Sequence, residues 1–435
     1  MLRVEEALDM CLSVQLATGE ELCALSDARG RWLARPIIAT RDNPPADMSA
    51  MDGVAVRAAD LLPDDTVDDD CCADVTCTPA DTRSLRVLEV IAAGKMPTRV
   101  VEPGTASWVM TGGVVPEGAD SVVMREYVEK DGDTIRVPTS IRPGQHIRKQ
   151  AEEFTAGTPL LAPGRRLDAG SLMLAASQGL GSVWVARKPV VAILATGDEL
   201  KGPGETCTPA EIYGSNSTAL AALVEQCGAT AIHTGVARDT LESTRASLQR
   251  ALDAKPDLIL STGGVSVGDF DVVREALASE GADMRFWKVR MKPGKPLAFG
   301  VLGGVPAVGL PGNPVSCQVG FWQFVRPLLM KAVGNPGPFL PVVQATLTRG
   351  VRKKAGRAQF VLVSLELHPT TGEWKATPAA SSSSGLVSAM ARTDGFALLG
   401  ETATSATEGD TVSVQVLADG LPGSPSPLYP WSGRP

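Results

Sequence analysis

Val190-Val191-Ala192-Ile193-Leu194-Ala195-Thr196-Gly197-Asp198-Glu199-Leu200 reads as a buried strand that runs into a turn, a stretch of apolar residues closed by Thr-Gly-Asp-Glu. Working outward, comparable apolar runs recur at 229–236, 257–262 and 306–310, and helical patterns at 214–227, 239–253, 270–280 and 313–330 alternate with them. Strands alternating with helices in this way predict βαβ units, hence a doubly wound, mostly parallel sheet over residues 189–333. In such sheets ligands sit beyond the carboxyl ends of the strands. The strand-to-helix loops of this domain are therefore the first places to look for chemistry.

The rest of the chain has a different texture. At 435 residues it is about three times a single-domain length of ~150. Its first residues have apolar positions at helical spacing, with Glu5, Glu6 and Asp9 where a signal peptide needs apolar residues, and so predict an amphipathic helix. Short β-like runs at 85–92, 107–111, 121–128 and 134–137, separated by Gly, Pro and Asp turns, predict a small β-rich module over 46–139. That module is inserted between residues 1–45 and 140–188, which form an elongated N-terminal region. Strands dominate again over 339–418, a small β domain, and 419–435 reads as a flexible tail rich in Gly, Pro and Ser. The aspartates of 60–74 read as a solvated insertion, with a calcium loop as the rival.

Composition excludes several functions. Lys plus Arg number 41 against 49 for Asp plus Glu, a net charge of −8, which disfavours nucleic acid and anionic membranes as partners. Apolar runs fall far short of the ~20 residues that span a bilayer. Eight scattered cysteines fit a reducing cytoplasm rather than a disulfide framework. The three histidines (146, 233, 368) are dispersed, and neither a His-Glu-x-x-His nor a Gly-x-x-x-x-Gly-Lys-Ser/Thr sequence occurs, so zinc-hydrolase and P-loop readings are poor.

Four loops of the central domain carry candidate chemistry. After 258–260 comes Ser261-Thr262-Gly263-Gly264-Val265-Ser266-Val267-Gly268-Asp269-Phe270-Asp271, where glycines let backbone N–H groups converge on an oxyanion at a helix N-terminus; a tight turn is the alternative. Residues 284–300 hold Lys288, Arg290, Lys292 and Lys295 and no acid, which in a net-acidic chain is a placed positive field around Met291-Lys292-Pro293-Gly294-Lys295-Pro296. Leu310-Pro311-Gly312-Asn313-Pro314-Val315-Ser316 offers a hydroxyl at the start of a helix, with plain capping as the rival. Glu199, Asp239, Asp269 and Asp271 are the carboxylates suited to Mg2+, although Asp239 and Asp271 also read as helix caps. A further basic run, Arg349, Arg352, Lys353, Lys354 and Arg357, precedes the serines of 381–384 and makes a second anion contact plausible.

These segments, with Pro45-Ala46-Asp47-Met48-Ser49-Ala50-Met51-Asp52-Gly53 and Met110-Thr111-Gly112-Gly113 followed by Pro116-Glu117-Gly118-Ala119-Asp120, resemble the molybdopterin molybdenumtransferase family, the family of bacterial MoeA and the gephyrin E domain. The resemblance implies a multidomain α/β plus β fold: a MogA-like central domain, the inserted module and a small C-terminal β-barrel-like domain. It implies a homodimer whose active site lies at the subunit interface, where the N-terminal part of one subunit faces the α/β domain of the other. The implied reaction is Mg2+-dependent hydrolysis of adenylylated molybdopterin coupled to molybdate insertion into the dithiolene, downstream of a molybdopterin adenylyltransferase.

By the family pattern, Asp52, Glu199, Asp239, Lys288 and Lys292 are catalytic, and Glu199 with Asp271 holds the metal. Substrate binding falls to Thr111, Arg148, Glu153, Gly263, Gly264, Ser266, Lys295, Pro311, Gly312, Asn313, Pro314, Ser316, Arg357 and Ser384. Four departures stand out. Met48 replaces the usual Asn and Val54 the usual Tyr, which removes a contact near Asp52. Gln359 and Leu362 stand where the family has an acid and a base, as if both members of an ion pair had been neutralised. A nucleotide-processing relative and a non-catalytic molybdopterin-binding scaffold are the competing functions.

Overall fold

The computed structural model describes residues 1–16, 19–61, 82–139, 141–264, 272–381, 383–417 and 429–431. The chain divides into two compact units, Pro36–Leu161 with Leu174–Leu180, and Met1–Arg35 with Ala162–Met173 and Gly181–Pro435.

The first unit is built on a six-stranded sheet of β1 (Gly53–Val56), β2 (Thr82–Ile91), β3 (Thr105–Val109), β4 (Ser121–Met124), β5 (Glu129–Asp131) and β6 (Thr134–Pro138), in the order β4-β1-β3-β2-β6-β5. Only β2 and β3 pair in parallel. Val54, Val56, Leu85, Ala106, Val123, Ile135 and Val137 fill one face, and Ala55, Ile91, Val109 and Val122 the other. Strand β1 is not marked by alternation in the sequence, because Gly-Val-Ala-Val is buried on both faces and shows no polar beat. Val54 is fully buried in this core.

The second unit opens with α1 (Val4–Leu12), whose Val4, Ala7, Leu8 and Cys11 repeat at i, i+3, i+4 and i+7 and share a core cluster with Phe321, Phe324 and Leu329. Residues 1–35 pack in the same compact unit as the α/β domain, where the buried stripe of α1 has its partner surface. The central sheet comprises β7 (Val190–Thr196), β8 (Thr230–Ala237), β9 (Leu258–Thr262), β10 (Asp283–Lys288), β11 (Pro296–Leu302) and β12 (Val305–Leu310), ordered β8-β7-β9-β12-β11-β10. The first four strands in that order are parallel, and β11 pairs antiparallel with both β12 and β10. Helices α2 (Ser215–Gln226), α3 (Leu241–Asp253) and α4 (Val272–Ser279) connect strands of this sheet, and α5 (Pro314–Gly320) follows β12 and runs on through a π turn into Arg326–Ala332. Ile193, Leu260 and Val308 point into one core cluster and Leu194, Ile259 and Ala307 into another, which is why these strands read as continuous apolar runs.

The C-terminal part contains β13 (Val342–Leu347), β14 (Ala358–Leu367), β15 (Trp374–Pro378), β16 (Gly395–Leu399) and β17 (Thr411–Val416). They pair as β14-β15-β13-β17-β16, and β16 returns to β14, closing a small barrel. The two-residue strand Met291–Lys292 adds to its outside by pairing in parallel with Ala358 and Gln359.

The flexible-tail expectation for 419–435 fails at its described residues. Tyr429 is only 3% exposed; its ring stacks on Trp431 at a centroid distance of 5.3 Å, and both rings meet Phe360 edge-on. Aromatic burial outweighs the Pro and Ser composition at this point.

Candidate active site

Three strand ends of the second unit converge through their loops. At the end of β7, the Gly197 N–H donates to the Ala237 carbonyl at 3.2 Å, which brings the loops after β7 and β8 together. Asp198 and Asp239 then exchange bonds, each backbone N–H donating to the other's carboxylate at 3.4 and 3.3 Å. Burial raises the pKa of Asp239, and the neighbouring carboxylates of Glu199 and Asp198 raise it further against the opposing Asp198 N–H. Asp239 does not cap α3; Thr240 does, its hydroxyl accepting the Ser243 N–H at 3.3 Å. Capping therefore does not account for this carboxylate.

Mg2+ takes one or two carboxylates and leaves its remaining positions to water and phosphate oxygens. Glu199, Asp198 and Asp239 supply hard oxygen donors that repel one another, and the cost of ionising half-buried Asp239 is what a cation offsets. No cluster of three His, Cys, Asp or Glu close enough to hold an ion by itself occurs among the described residues. The chemistry fits a site completed by substrate oxygens. Ser266, Asp269 and Asp271 lie outside the described residues.

The Gly263-Gly264 turn packs against β7. Gly263 has φ +90° and Gly264 φ +63°, and a Cβ on either would sit 2.9 Å from the Thr196 hydroxyl. That hydroxyl is buried and has no hydrogen-bond partner among the described residues. The Gly263 N–H donates to the Leu310 carbonyl at 3.2 Å, and Asn216 Nδ2 donates both to Thr262 Oγ1 at 2.9 Å and to the Gly312 carbonyl at 2.7 Å. Asn216 thus ties the loop after β9 to the Pro311-Gly312-Asn313-Pro314 loop after β12. Sequence reading passed over Asn216; its only signal is its place at the start of a helix that follows a strand end. Asn313 is exposed and makes no capping bond to α5, which leaves its side chain available. Ser316 is 5% exposed, more enclosed than a hydroxyl offered at a helix mouth. The Val315 N–H donates to the Ser384 carbonyl at 3.1 Å, so the serine segment does reach this loop.

A cavity of ≈ 360 Å3 lies beside the barrel, lined by Lys292, Arg352, Lys353, Lys354, Arg357 and Gln359. Two members of the basic run are spent on structure. Lys353 Nζ donates to the carbonyls of Gly400 at 2.7 Å and Ala403 at 2.8 Å, and Arg349 donates to the Pro378 carbonyl. Burial lowers the pKa of Lys353, with Glu401 opposing and Arg357 adding to the shift. Lys292, Arg352, Lys354 and Arg357 remain to face a ligand. Lys288 ends β10, and the Lys295 carbonyl accepts the Val289 N–H at 3.0 Å, both on the segment that carries Lys292.

The first unit holds its own polar constellation. Asp52 Oδ1 accepts the Thr111 N–H at 2.7 Å and the Thr111 hydroxyl at 2.8 Å, which hold its carboxyl below the usual range with help from Arg125. Asp47 accepts Lys149 Nζ at 2.8 Å and the Gln150 N–H at 2.8 Å. Arg148, exposed, sits opposite Met48 in a two-residue antiparallel pair, and Glu153 accepts the Asn43 side chain.

Gln359 and Leu362 do not face each other. On β14 positions three apart point to opposite faces: Val361 and Val363 line the barrel interior, whereas Phe360 and Leu362 pack on the outer cluster. The idea of a neutralised ion pair between them is thereby overturned.

With this geometry in hand, similarity to known proteins is informative. Residues 2–179 match the model of the MoeA N-terminal region (domain I and II), 192–331 that of a probable molybdopterin binding domain and 344–417 that of the MoeA C-terminal region (domain IV). The class is that of proteins in which a molybdopterin-binding type of α/β domain is flanked by these two regions. The molybdopterin molybdenumtransferase of a Nostoc species is 36% identical over 388 residues, 88% of this chain and 86% of the relative; that of Bacillus subtilis is 33% identical over 99% and 96%. A crystal structure of the molybdopterin biosynthesis MoeA protein from Pyrococcus horikoshii superposes with a TM-score of 0.82 at 31% identity, covering 96% of this chain and 99% of that one. The chain belongs to the molybdopterin molybdenumtransferase (MoeA) family.

Proposed function

We propose that the protein hydrolyses adenylylated molybdopterin with Mg2+ and inserts molybdate into the dithiolene to yield molybdenum cofactor. The observation that carries this reading is the basic cavity: it is lined by four cations whose side chains have no partner among the described residues, in a chain whose net charge is −8. Such a placement suits a tetrahedral dianion or a phosphate. Lys292, Arg357, Lys295 and Lys288 hold the anion, with Ser316 and Ser384 on the adjoining loops. Gly263, Gly264, Ser266, Pro311, Gly312, Asn313 and Pro314 shape the pterin and phosphate pocket, the glycines admitting backbone to close approach.

Glu199 and Asp239, with Asp271 by family pattern, would hold Mg2+. When bound, the ion supplies charge withdrawal from the phosphoryl oxygens. Asp239 would hold the ion or orient the attacking water through its carboxylate. Water adds to phosphorus, the P–O bond to AMP breaks, and the proton passes to a carboxylate.

Asp52, Thr111, Arg148 and Glu153 complete the site from a second copy of the chain, which makes the protein a homodimer with its active site at the subunit interface. Cys11, Cys23, Cys207 and Cys317, which form no disulfide among the described residues, suit a cytoplasmic enzyme, and no helix among the described residues is long and apolar enough to cross a membrane. Its substrate comes from a molybdopterin adenylyltransferase.

The test incubates the protein with adenylylated molybdopterin, Mg2+ and molybdate or tungstate, following AMP release and metal content of the pterin by mass spectrometry. AMP release with metal insertion is expected. Release without insertion defines a nucleotide hydrolase, and tight binding without turnover defines a scaffold; either result refutes the transferase reading.

A further inference from the structure

We propose that Arg290 is an anion-contacting residue of the basic cavity and that Glu401 is its internal counter-ion, the carboxylate its guanidinium leaves when an oxyanion enters. The inference rests on the reading of that cavity as an oxyanion site.

Arg290 stands on the segment that carries Lys292 into the cavity wall. Met291 and Lys292 pair with Ala358 and Gln359, and the Ala358 N–H donates to the Arg290 carbonyl at 2.9 Å, so the ladder begins at Arg290. Met291 is fully buried between them; side chains two apart on a strand share a face, which sets Arg290 on the side of Lys292. Its side chain, 36% exposed and so within reach of an anion from solvent, meets the carboxylate of Glu401, Nη1 to Oε2 at 3.5 Å. The Glu401 carbonyl in turn accepts the Gly356 N–H at 2.8 Å and Lys353 Nζ at 3.4 Å, which fastens this acid to the backbone just before Arg357 and to a lysine of the cavity lining.

The ion pair is loosely made. A charge-assisted N–H···O bond is about 2.7–2.9 Å long, and this contact exceeds it. Arg290 Nε is buried and has no hydrogen-bond partner among the described residues. That unpaired atom is a donor, and a donor calls for an acceptor. An oxyanion consists of acceptors, and Nε with a neighbouring Nη forms the fork that takes two of its oxygens at once. A turn of the guanidinium away from Glu401 therefore exchanges one long ion pair and an empty donor for two short bonds. Glu401 is not stranded by the move, because Lys353, whose charged form it favours, stays beside it. Until then its negative charge competes with the incoming anion for the same cation.

Isothermal titration of the full-length protein with sodium molybdate tests both halves, with thermal unfolding to confirm that each variant folds. Glu401→Gln should bind molybdate about fivefold more tightly than wild type, since it removes the competing charge and keeps the shape of the side chain. Arg290→Lys, which keeps the charge and loses the fork, should bind about tenfold more weakly. In an Arg290→Met background the gain from Glu401→Gln should fall to about twofold or less, because the cation for which the carboxylate competes is gone. An ion pair that only braces the fold gives a different pattern, in which Glu401→Gln loses stability and gains no affinity. If Arg357→Ala abolishes molybdate binding but Arg290→Lys binds like wild type, the contact at Arg290 is refuted while the cavity reading stands. A gain from Glu401→Gln that is absent, or that persists undiminished with Arg290→Met, refutes the counter-ion role. If wild type binds no molybdate, or Arg357→Ala leaves binding intact, the cavity reading falls and this inference with it.

Discussion

The tandem glycines after β9 allow a test by double-mutant cycle. At Gly264 an added Cβ would meet Val273 Cγ2 at 2.6 Å and the Thr196 hydroxyl at 2.9 Å, both side chains; at Gly263 it would meet the Thr196 carbonyl oxygen at 2.6 Å, which is backbone. Alanine at either site carries about 1–2 kcal/mol for the left-handed conformation. The contact adds about 1–3 kcal/mol of overpacking. Each single variant should thus be destabilised by about 2–5 kcal/mol, or about 2–4 °C of Tm per kcal/mol for a domain of this size. Val273 is fully buried on α4, and Val273→Ala costs about 2 kcal/mol through two lost methyls. It also removes the methyl that a Cβ at Gly264 strikes. Gly264→Ala with Val273→Ala should therefore be less destabilised than the sum of its singles by about 1–2 kcal/mol, whereas Gly263→Ala with Val273→Ala should add within about 0.5 kcal/mol. Scanning calorimetry of the six proteins reads both cycles. Equal coupling in the two, or none in the Gly264 cycle, would refute the packing of this turn.

Further expectations follow from other contacts. Lys353→Met removes the bonds to the Gly400 and Ala403 carbonyls and should lower the unfolding midpoint more than it lowers anion affinity, with Arg357→Met giving the opposite ranking; calorimetry and molybdate titration compare them. Tyr429→Phe removes the hydroxyl that donates to Gln323 Oε1 at 3.0 Å and should cost about 1–2 kcal/mol, while Tyr429→Ala, which also strips the ring from Phe360 and Trp431, should cost about 3–5 kcal/mol in denaturant titration. Thr111→Val leaves Asp52 without the hydroxyl donor and should raise its pKa. A carboxyl held low stabilises the fold above its ordinary pKa, and the contribution is lost as pH falls through the lowered value. The variant should lose it at a higher pH, which NMR titration of Asp52 and acid unfolding both register.

How much of this was legible in the sequence depended on the range of the interaction. The central strands and helices were readable because a strand buried on both faces leaves an unbroken apolar run, and a strand-to-helix loop leaves its glycines in place. Helix Leu241–Asp253 against a reading of 239–253, and strand Val342–Leu347 against 341–348, show that such local signals carry nearly to the residue. β1 and β15 were not readable. The first has no alternation, and the second, Trp-Lys-Ala-Thr-Pro, is a short strand whose identity depends on pairing with both β13 and β14. The docking of Tyr429 was hidden for the same reason: its partners Gln323 and Phe360 are 106 and 69 positions away.

Charge shows the same division, with a consequence for the site. Along the sequence, Arg349, Arg352, Lys353, Lys354 and Arg357 form one basic run, and every member looks equally suited to an anion. In three dimensions a cation is available only if nothing else has claimed it, and the carbonyls around Lys353 and the Pro378 carbonyl at Arg349 claim two. Lys292 arrives from another domain because Met291–Lys292 pairs with the start of β14, just after Arg357. The same backbone ladder therefore fixes the spacing between the α/β domain's lysine and the barrel's arginine. A ligand held by both would couple the two domains through a single strand pair, so changes that loosen this ladder should weaken anion binding without touching any residue that contacts the anion.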